Sequence, residues 1–189
     1  MKYRTIVIDP PWKLYPVSSK ALSGGKFRQN LPYTQMTDEE ILAFPIDNFA
    51  DNECDLFLWA TQGKLPVALK CLDNWGFKYH CLLTWDKLNG ISINGFQRRT
   101  ELVLYGYKGR MGVDRKEGHY IPTLFSEAST NHSAKPRIFY AFLRERTLEP
   151  RIDIFARKRH YGFDAYGNQV ETQIEIPLFI TQQSKREKP

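Results

Sequence analysis

The stretch Tyr3–Pro16, YRTIVIDPPWKLYP, decides how the rest of the chain reads. Ile6, Val7 and Ile8 are clustered β-formers, so Tyr3 to Ile8 reads as a buried strand that ends at Asp9. Pro10 and Pro11 cannot donate to a sheet ladder, and the sheet must release the chain there. Each proline also drives its predecessor toward extended backbone, which makes a stiff, open turn. The sequence dictates no partner for the carbonyls of Asp9 and Pro10, and Trp12 adds a flat apolar surface beside the carboxylate. An acid, two acceptors and an aromatic face at the carboxyl end of a strand form a candidate site for a planar amine. The competing structural reading makes Asp9 a turn cap and Trp12 a core residue.

Outward from that turn, strands and helices alternate. TDEE at Thr37–Glu40 is a capping-box signature for a short helix reaching Phe44 and stopped by Pro45. DLFLWAT, Asp55–Thr61, reads as a buried strand. Leu65, Ala68, Leu69 and Leu72 follow helical spacing, closed by Gly76. Phe77–Lys87 and Glu101–Gly109 read as strands, Pro136 as the first turn of a helix with Ile138, Phe139, Phe142 and Leu143 inward, and Arg151–Arg157 as a strand. Leu88–Thr100 and Arg110–Ser133 read as irregular basic segments, and TQIEIPLFI as a shorter β-like stretch. The pattern predicts an α/β sheet with ligands at the carboxyl ends of its strands. A single domain is expected over residues 1–180, with target-recognition loops within 88–100 and 110–133 and a polar tail at 181–189.

Composition narrows the chemistry. Among 189 residues, Cys54, Cys71 and Cys81 are odd in number and widely spaced, and the four histidines are scattered. No metal site is expected, and the cysteines read as reduced thiols of a cytoplasmic protein. Apolar runs are too short to span a bilayer and the start carries no signal segment, so neither membrane nor export is expected. Residues 98–160 hold 14 Lys or Arg against 7 Asp or Glu, a local +7 within a chain of net +6. That asymmetry fits a polyanionic partner such as nucleic acid, with a solvated basic surface as the alternative.

A second constellation lies in HSAKP, DIFARKR and YGNQ. Lys135 stands before a helix start and Arg157 at a strand end, so both can aim cations into one crevice, where a cofactor carboxylate would suit Lys135. Asn168 and Gln169 can hydrogen-bond ribose hydroxyls.

Taken together, IVIDPPW, LPYTQMTDEEI, LFLWAT, WGFKY, LTWDK, TELVLYGYKG, HSAKP, DIFARKR and GNQV resemble one family in order, over about residues 4 to 170. It is the adenine-N6 methyltransferase family of the messenger-RNA adenosine methylase catalytic subunit and its bacterial and phage DNA relatives. The resemblance implies a Rossmann-like, S-adenosyl-L-methionine-dependent fold, with a mostly parallel sheet flanked by helices and permuted motif order. It implies that Asp9, Pro10, Pro11 and Trp12 form the catalytic turn, with Trp12 and Tyr33 on the target base. Asp9, Lys135, Arg157, Asn168 and Gln169 are the implied cofactor contacts. Arg98, Arg99, Arg110, Arg115 and Lys116 are expected to grip nucleic acid. The expected reaction is methyl transfer to the N6 amine of adenine in DNA. RNA is the alternative acceptor, a catalytically silent nucleic-acid-binding partner is the rival class, and a homodimer is left open. The chain lacks the glycine-rich loop of typical methyltransferases, and the compact sequence suggests a prokaryotic or phage enzyme.

Overall fold

The computed structural model describes residues 1–13, 34–93, 95–114, 118, 120–129 and 134–167. Among these residues, seven strands form one mixed sheet: β1 (Tyr3–Ile8), β2 (Ala50–Ala60), β3 (Lys78–Ile93), β4 (Phe96–Lys108), β5 (Leu124–Ser126), β6 (Arg151–Ile154) and β7 (Asp164–Tyr166). Their order is β5-β3-β4-β2-β1-β6-β7. β1 pairs in parallel with β2 and β6, β6 with β7, and β3 with β5. β4 is antiparallel to both β2 and β3.

Period-two alternation sorts the core into two layers. Ile6, Ile8, Leu56, Leu58 and Leu104 face one side, where Ile41 of α1 (Asp38–Leu42) and Ala68, Cys71 and Leu72 of α2 (Leu65–Asn74) cover them. Val7, Phe57, Trp59, Val103 and Tyr105 face the other, under Phe139, Tyr140 and Leu143 of α3 (Arg137–Arg146). Both faces are covered, so the central strands read as continuous apolar runs. Among the described residues no helix is long and apolar enough to cross a membrane.

The expected capping box is present: Glu40 N–H donates to Thr37 Oγ1 at 3.2 Å, and Thr37 N–H to Glu40 Oε2 at 2.7 Å. Three expectations need correction. Leu88–Thr100 is ordered β-hairpin rather than an irregular loop, because β3 continues to Ile93 and β4 begins at Phe96. The sequence signal is the Asn94-Gly95 pair between ISI and FQR, a common hairpin-turn dipeptide, and Gly95 takes φ +81°. Second, the segment 110–133 is not wholly irregular, since Leu124–Ser126 pairs with Thr84–Asp86. Third, the strand expected through Arg157 stops at Ile154, and Phe155 adopts φ +63°, which turns the chain off the sheet. The β-like stretch TQIEIPLFI and the tail lie outside the described residues.

Candidate active site

The site is built where β1, β2 and β6 end. Asp9 leaves β1 with its N–H on the Ile154 carbonyl at 3.3 Å. The two prolines then cross to a short pairing of Trp12 with Met36: Met36 N–H donates to the Pro11 carbonyl at 2.9 Å, and Lys13 N–H to the Met36 carbonyl at 3.0 Å. The Pro10 carbonyl is not without a partner, as the sequence suggested, for it accepts the Trp12 N–H at 2.7 Å. A carbonyl has two acceptor positions, so one remains for an amine hydrogen.

Trp12 departs further from expectation. Only 6 % of it is exposed, and its indole N–H donates to the Trp59 carbonyl at 3.0 Å. The ring belongs to the core cluster rather than standing open at the site. Trp12 fixes the turn to the β2 end, and the structural reading of this residue is the one the geometry supports.

Asp9 is instead joined to a row of charges. Lys135 Nζ lies 3.1 Å from Asp9 Oδ1 and 2.9 Å from Glu101 Oε2, while Lys87 Nζ lies 3.2 Å from Glu101 Oε1. The same ammonium stands 4.7 Å from the centre of the Trp59 ring. The placement of Lys135 follows from the start of α3, where Glu127 takes the N–H groups of Arg137 and Ile138 at 2.9 Å each. That carboxylate satisfies two orphan donors and favours the helix dipole. Burial pushes the Asp9 carboxyl up, opposed by the charge of Lys135. Burial also works against Glu101, but the ammoniums of Lys135 and Lys87 outweigh it and hold Glu101 below its usual value. Lys135 is held above its own usual value, because Asp9 and Glu101 outweigh its desolvation. Lys135 is therefore a permanent cation between two carboxylates.

Next to this row opens a cavity of about 170 Å³, lined by Asp9, Lys135, Tyr140, Asp153, Arg157 and His160 among others. Asp153, on β6, is buried and accepts the Tyr140 hydroxyl at 2.8 Å. Burial raises its pKa to about 7. His160 stacks on Tyr140 with ring centres 3.4 Å apart, and burial, with Lys158 and Arg144 nearby, lowers it to about 4. Gly167 passes so near Ala156 that a Cβ would lie 2.3 Å from that carbonyl oxygen, so only glycine allows this close crossing beside Arg157. A larger depression of about 360 Å³ lies between the end of α2 and the start of β3, at the opposite end of the sheet, and has none of these charges in its wall.

The structure thus brings Asp9, Pro10, Lys135 and Arg157 together. Tyr33, Asn168, Gln169, Arg115 and Lys116 lie outside the described residues. Arg98 and Arg110 are exposed. Arg99 is committed to Asp86, with its Nε 2.6 Å from Oδ1 and Nη2 on Oδ2, so it braces the hairpin before it can grip a phosphate. The sequence reading missed Glu101, Lys87, Asp153 and His160. The first stood at the head of an apolar strand, TELVLYG, where a charge at the sheet end is the available signal.

The model of the MT-A70 family matches residues 3–169. The chain belongs to the MT-A70 family. It is 25% identical over 191 residues to the type II methyltransferase M.MunI of Mycoplasma sp, covering 93% of this chain and 82% of that protein. It is 27% identical over 180 residues to a putative N(6)-adenosine-methyltransferase MT-A70-like protein of Medicago truncatula, and 27% over 182 residues to its Arabidopsis thaliana counterpart. In each plant case 89% of this chain is covered but only about a quarter of the relative, 26% and 24%. As an MT-A70 member, the chain is a Rossmann-like, S-adenosyl-L-methionine-dependent adenine-N6 methyltransferase acting on nucleic acid.

The residues present fit that cofactor. Its amino-acid end carries a carboxylate and an ammonium, matched by the cations Lys135 and Arg157 and the carboxylate of Asp9 around one cavity. Its ribose hydroxyls are donors that the buried Asp153 carboxyl on the cavity wall can accept. When bound, it supplies an electrophilic methyl group on sulfur.

Proposed function

We propose that Asp9 and the Pro10 carbonyl accept the two N6 hydrogens of an adenine held in a polynucleotide, so that the nitrogen lone pair faces the methyl donor. The observation that supports this reading is the Asp9–Lys135–Glu101 row at the strand ends, with Asp9 also on the cavity wall. Asp9 orients the amine, and Lys135 keeps the carboxylate placed while its charge suits the carboxylate of the donor. Held by Lys135 and Arg157, the donor would supply its sulfonium methyl to the amine nitrogen, which would shed one proton. Asp9, whose pKa burial raises, is the nearest base to take it.

The acceptor sugar is the finer question. The plant relatives are named for adenosine, a ribonucleoside, which favours RNA over the DNA acceptor that the sequence reading put first. DNA stays as the second reading, because the type II methyltransferase is matched over 82% of its own length. Arg98 and Arg110, which are exposed, are assigned to phosphate contact, as are Arg115 and Lys116 from their place in the sequence. The test is labelled methyl transfer to RNA and DNA of one sequence, with digestion to nucleosides and detection of N6-methyladenine. Faster labelling of RNA supports the first acceptor, and faster labelling of DNA the second. Absence of N6-methyladenine from both defeats the reading.

A further inference from the structure

The β3–β4 hairpin runs beyond the sheet. β2 stops pairing with β4 at Ala60↔Leu102, and β5 pairs with β3 only over Thr84–Asp86. Among the described residues, the two strands from Lys87 outward pair only with each other, with Ile91↔Arg98 and Ile93↔Phe96 as their last pairs. They leave by the end of the sheet that carries Asp9, since Ala60 closes β2 there.

A two-stranded ribbon is marginal in water unless something stiffens it. Here the root is braced by Asp86, which takes two donors from Arg99 and the Leu88 N–H at 2.9 Å. Gly90 brings the strands so close that a Cβ would lie 2.5 Å from the Arg98 carbonyl oxygen. Gly95, at φ +81°, closes the turn. Immediately after it comes Phe96, 75 % exposed, with Arg98 exposed two residues behind on the same face. Five residue steps along the strand carry Phe96 about 17 Å from Glu101, so the ring stands off from the site rather than in it.

We propose that Phe96 is an insertion residue: its ring enters the base stack at or beside the place vacated by the target adenine, while Arg98 holds the adjoining phosphate. This rests on the amine-methylation reading above. A paired adenine cannot reach Asp9 without leaving the stack, and the gap it leaves is unfavourable. Aromatic rings stack on a base of any sequence, and apolar wedges that part base steps are a common way of opening duplexes. The basic companion Arg98 favours nucleic acid over a second protein as the ring's partner.

The test compares wild type, Phe96→Ala and Phe96→Trp on a duplex and on the single strand of the same sequence, in the sugar that wild type prefers. Phe96→Ala is expected to lose roughly tenfold or more in kcat/KM on the duplex, with the single-strand rate within about twofold and Phe96→Trp restoring the duplex rate. Equal loss on both substrates, no loss on either, or a wild type that methylates only the single strand overturns the insertion. So does a Phe96→Ala chain whose oligomeric state changes, which would assign the ring to an interface between copies. A wild type that methylates adenine in neither substrate defeats the underlying reading instead.

Discussion

Asp9, just past the end of β1, and Asp55, on the neighbouring β2, are aspartates on the same side of one sheet, yet the fold uses them oppositely. Asp55 pairs in register with Thr5, at the start of β1, and is fully buried. Its Oδ1 accepts the Tyr105 hydroxyl at 2.7 Å and the Gly112 N–H at 3.2 Å, while its buried Oδ2 has no hydrogen-bond partner among the described residues. No cation is in contact with it among the described ion pairs, and burial raises its pKa. Asp9 stands at the other end, beside a cavity, in contact with a lysine that a second carboxylate also holds. A carboxyl closed in by neutral donors binds segments together. A carboxyl paired with a held cation at an opening can exchange partners, and that is what chemistry needs.

The comparison can be broken most severely at Lys135. Lys135→Met leaves Asp9 and Glu101 facing each other without their shared cation. Methyl transfer should fall roughly 100-fold or more, with weaker cofactor binding as well. Glu101 should also titrate higher once its ammonium is gone, which shows as an upward shift in the acid limb of the pH–rate profile. Retained turnover with an unmoved acid limb would remove Lys135 from the site.

Glu101→Gln is a milder cut, because Lys135 keeps Asp9. A loss of roughly tenfold to 100-fold in kcat, with cofactor affinity nearly unchanged, is expected from steady-state kinetics and a binding titration. A change confined to affinity would mean that Glu101 serves the cofactor pocket alone.

Asp55→Ala should do the reverse. It strands the Tyr105 hydroxyl and the Gly112 N–H in the core, at a cost of about 2–3 kcal/mol, or roughly 5–10 °C in Tm. Turnover per folded molecule should stay near wild type, as thermal melts and active-site titration can show.

The smallest effect is one of pH at the cavity wall. Asp153 has a folded pKa of about 7 against an ordinary 3.8, so the folded chain keeps a proton that the unfolded chain loses. Its contribution to stability is therefore full below about pH 4 and lost as pH rises toward 7. His160, lowered to about 4, works the other way: its contribution is full above 6.5 and lost as pH falls toward 4. Asp153→Asn keeps an acceptor for Tyr140 and removes only the first dependence, so its Tm should gain on wild type steadily from pH 4 to 8. A constant offset across that range would show that Asp153 does not titrate in the window.

The contrast between the two aspartates also marks what could be seen in the sequence. The β1 strand and its proline-stopped end, the capping box at Thr37 and the start of α3 were legible, because each rests on local rules of period, capping and backbone geometry. The Asn94-Gly95 hairpin was legible in principle but was obscured by the charges around it, which read as loop. The core role of Trp12 stood in the sequence only as the competing reading, since burial depends on β2 arriving beside it from 47 positions away, through the bond to Trp59. The same dependence holds for Lys135 between Asp9 and Glu101, three residues from three distant segments. Only the sheet order brings them within 3.1 Å.

The most direct test of the division between the two carboxyls is turnover per folded molecule for Asp9→Asn and Asp55→Asn, measured side by side at saturating methyl donor. The geometry predicts that Asp9→Asn stays folded within a few degrees of wild type and loses roughly 100-fold or more in methyl transfer. It predicts that Asp55→Asn melts lower and transfers methyl at the wild-type rate. Equal turnover in the two variants, or an Asp9→Asn chain as active as wild type, would contradict the assignment of Asp9 to the chemistry.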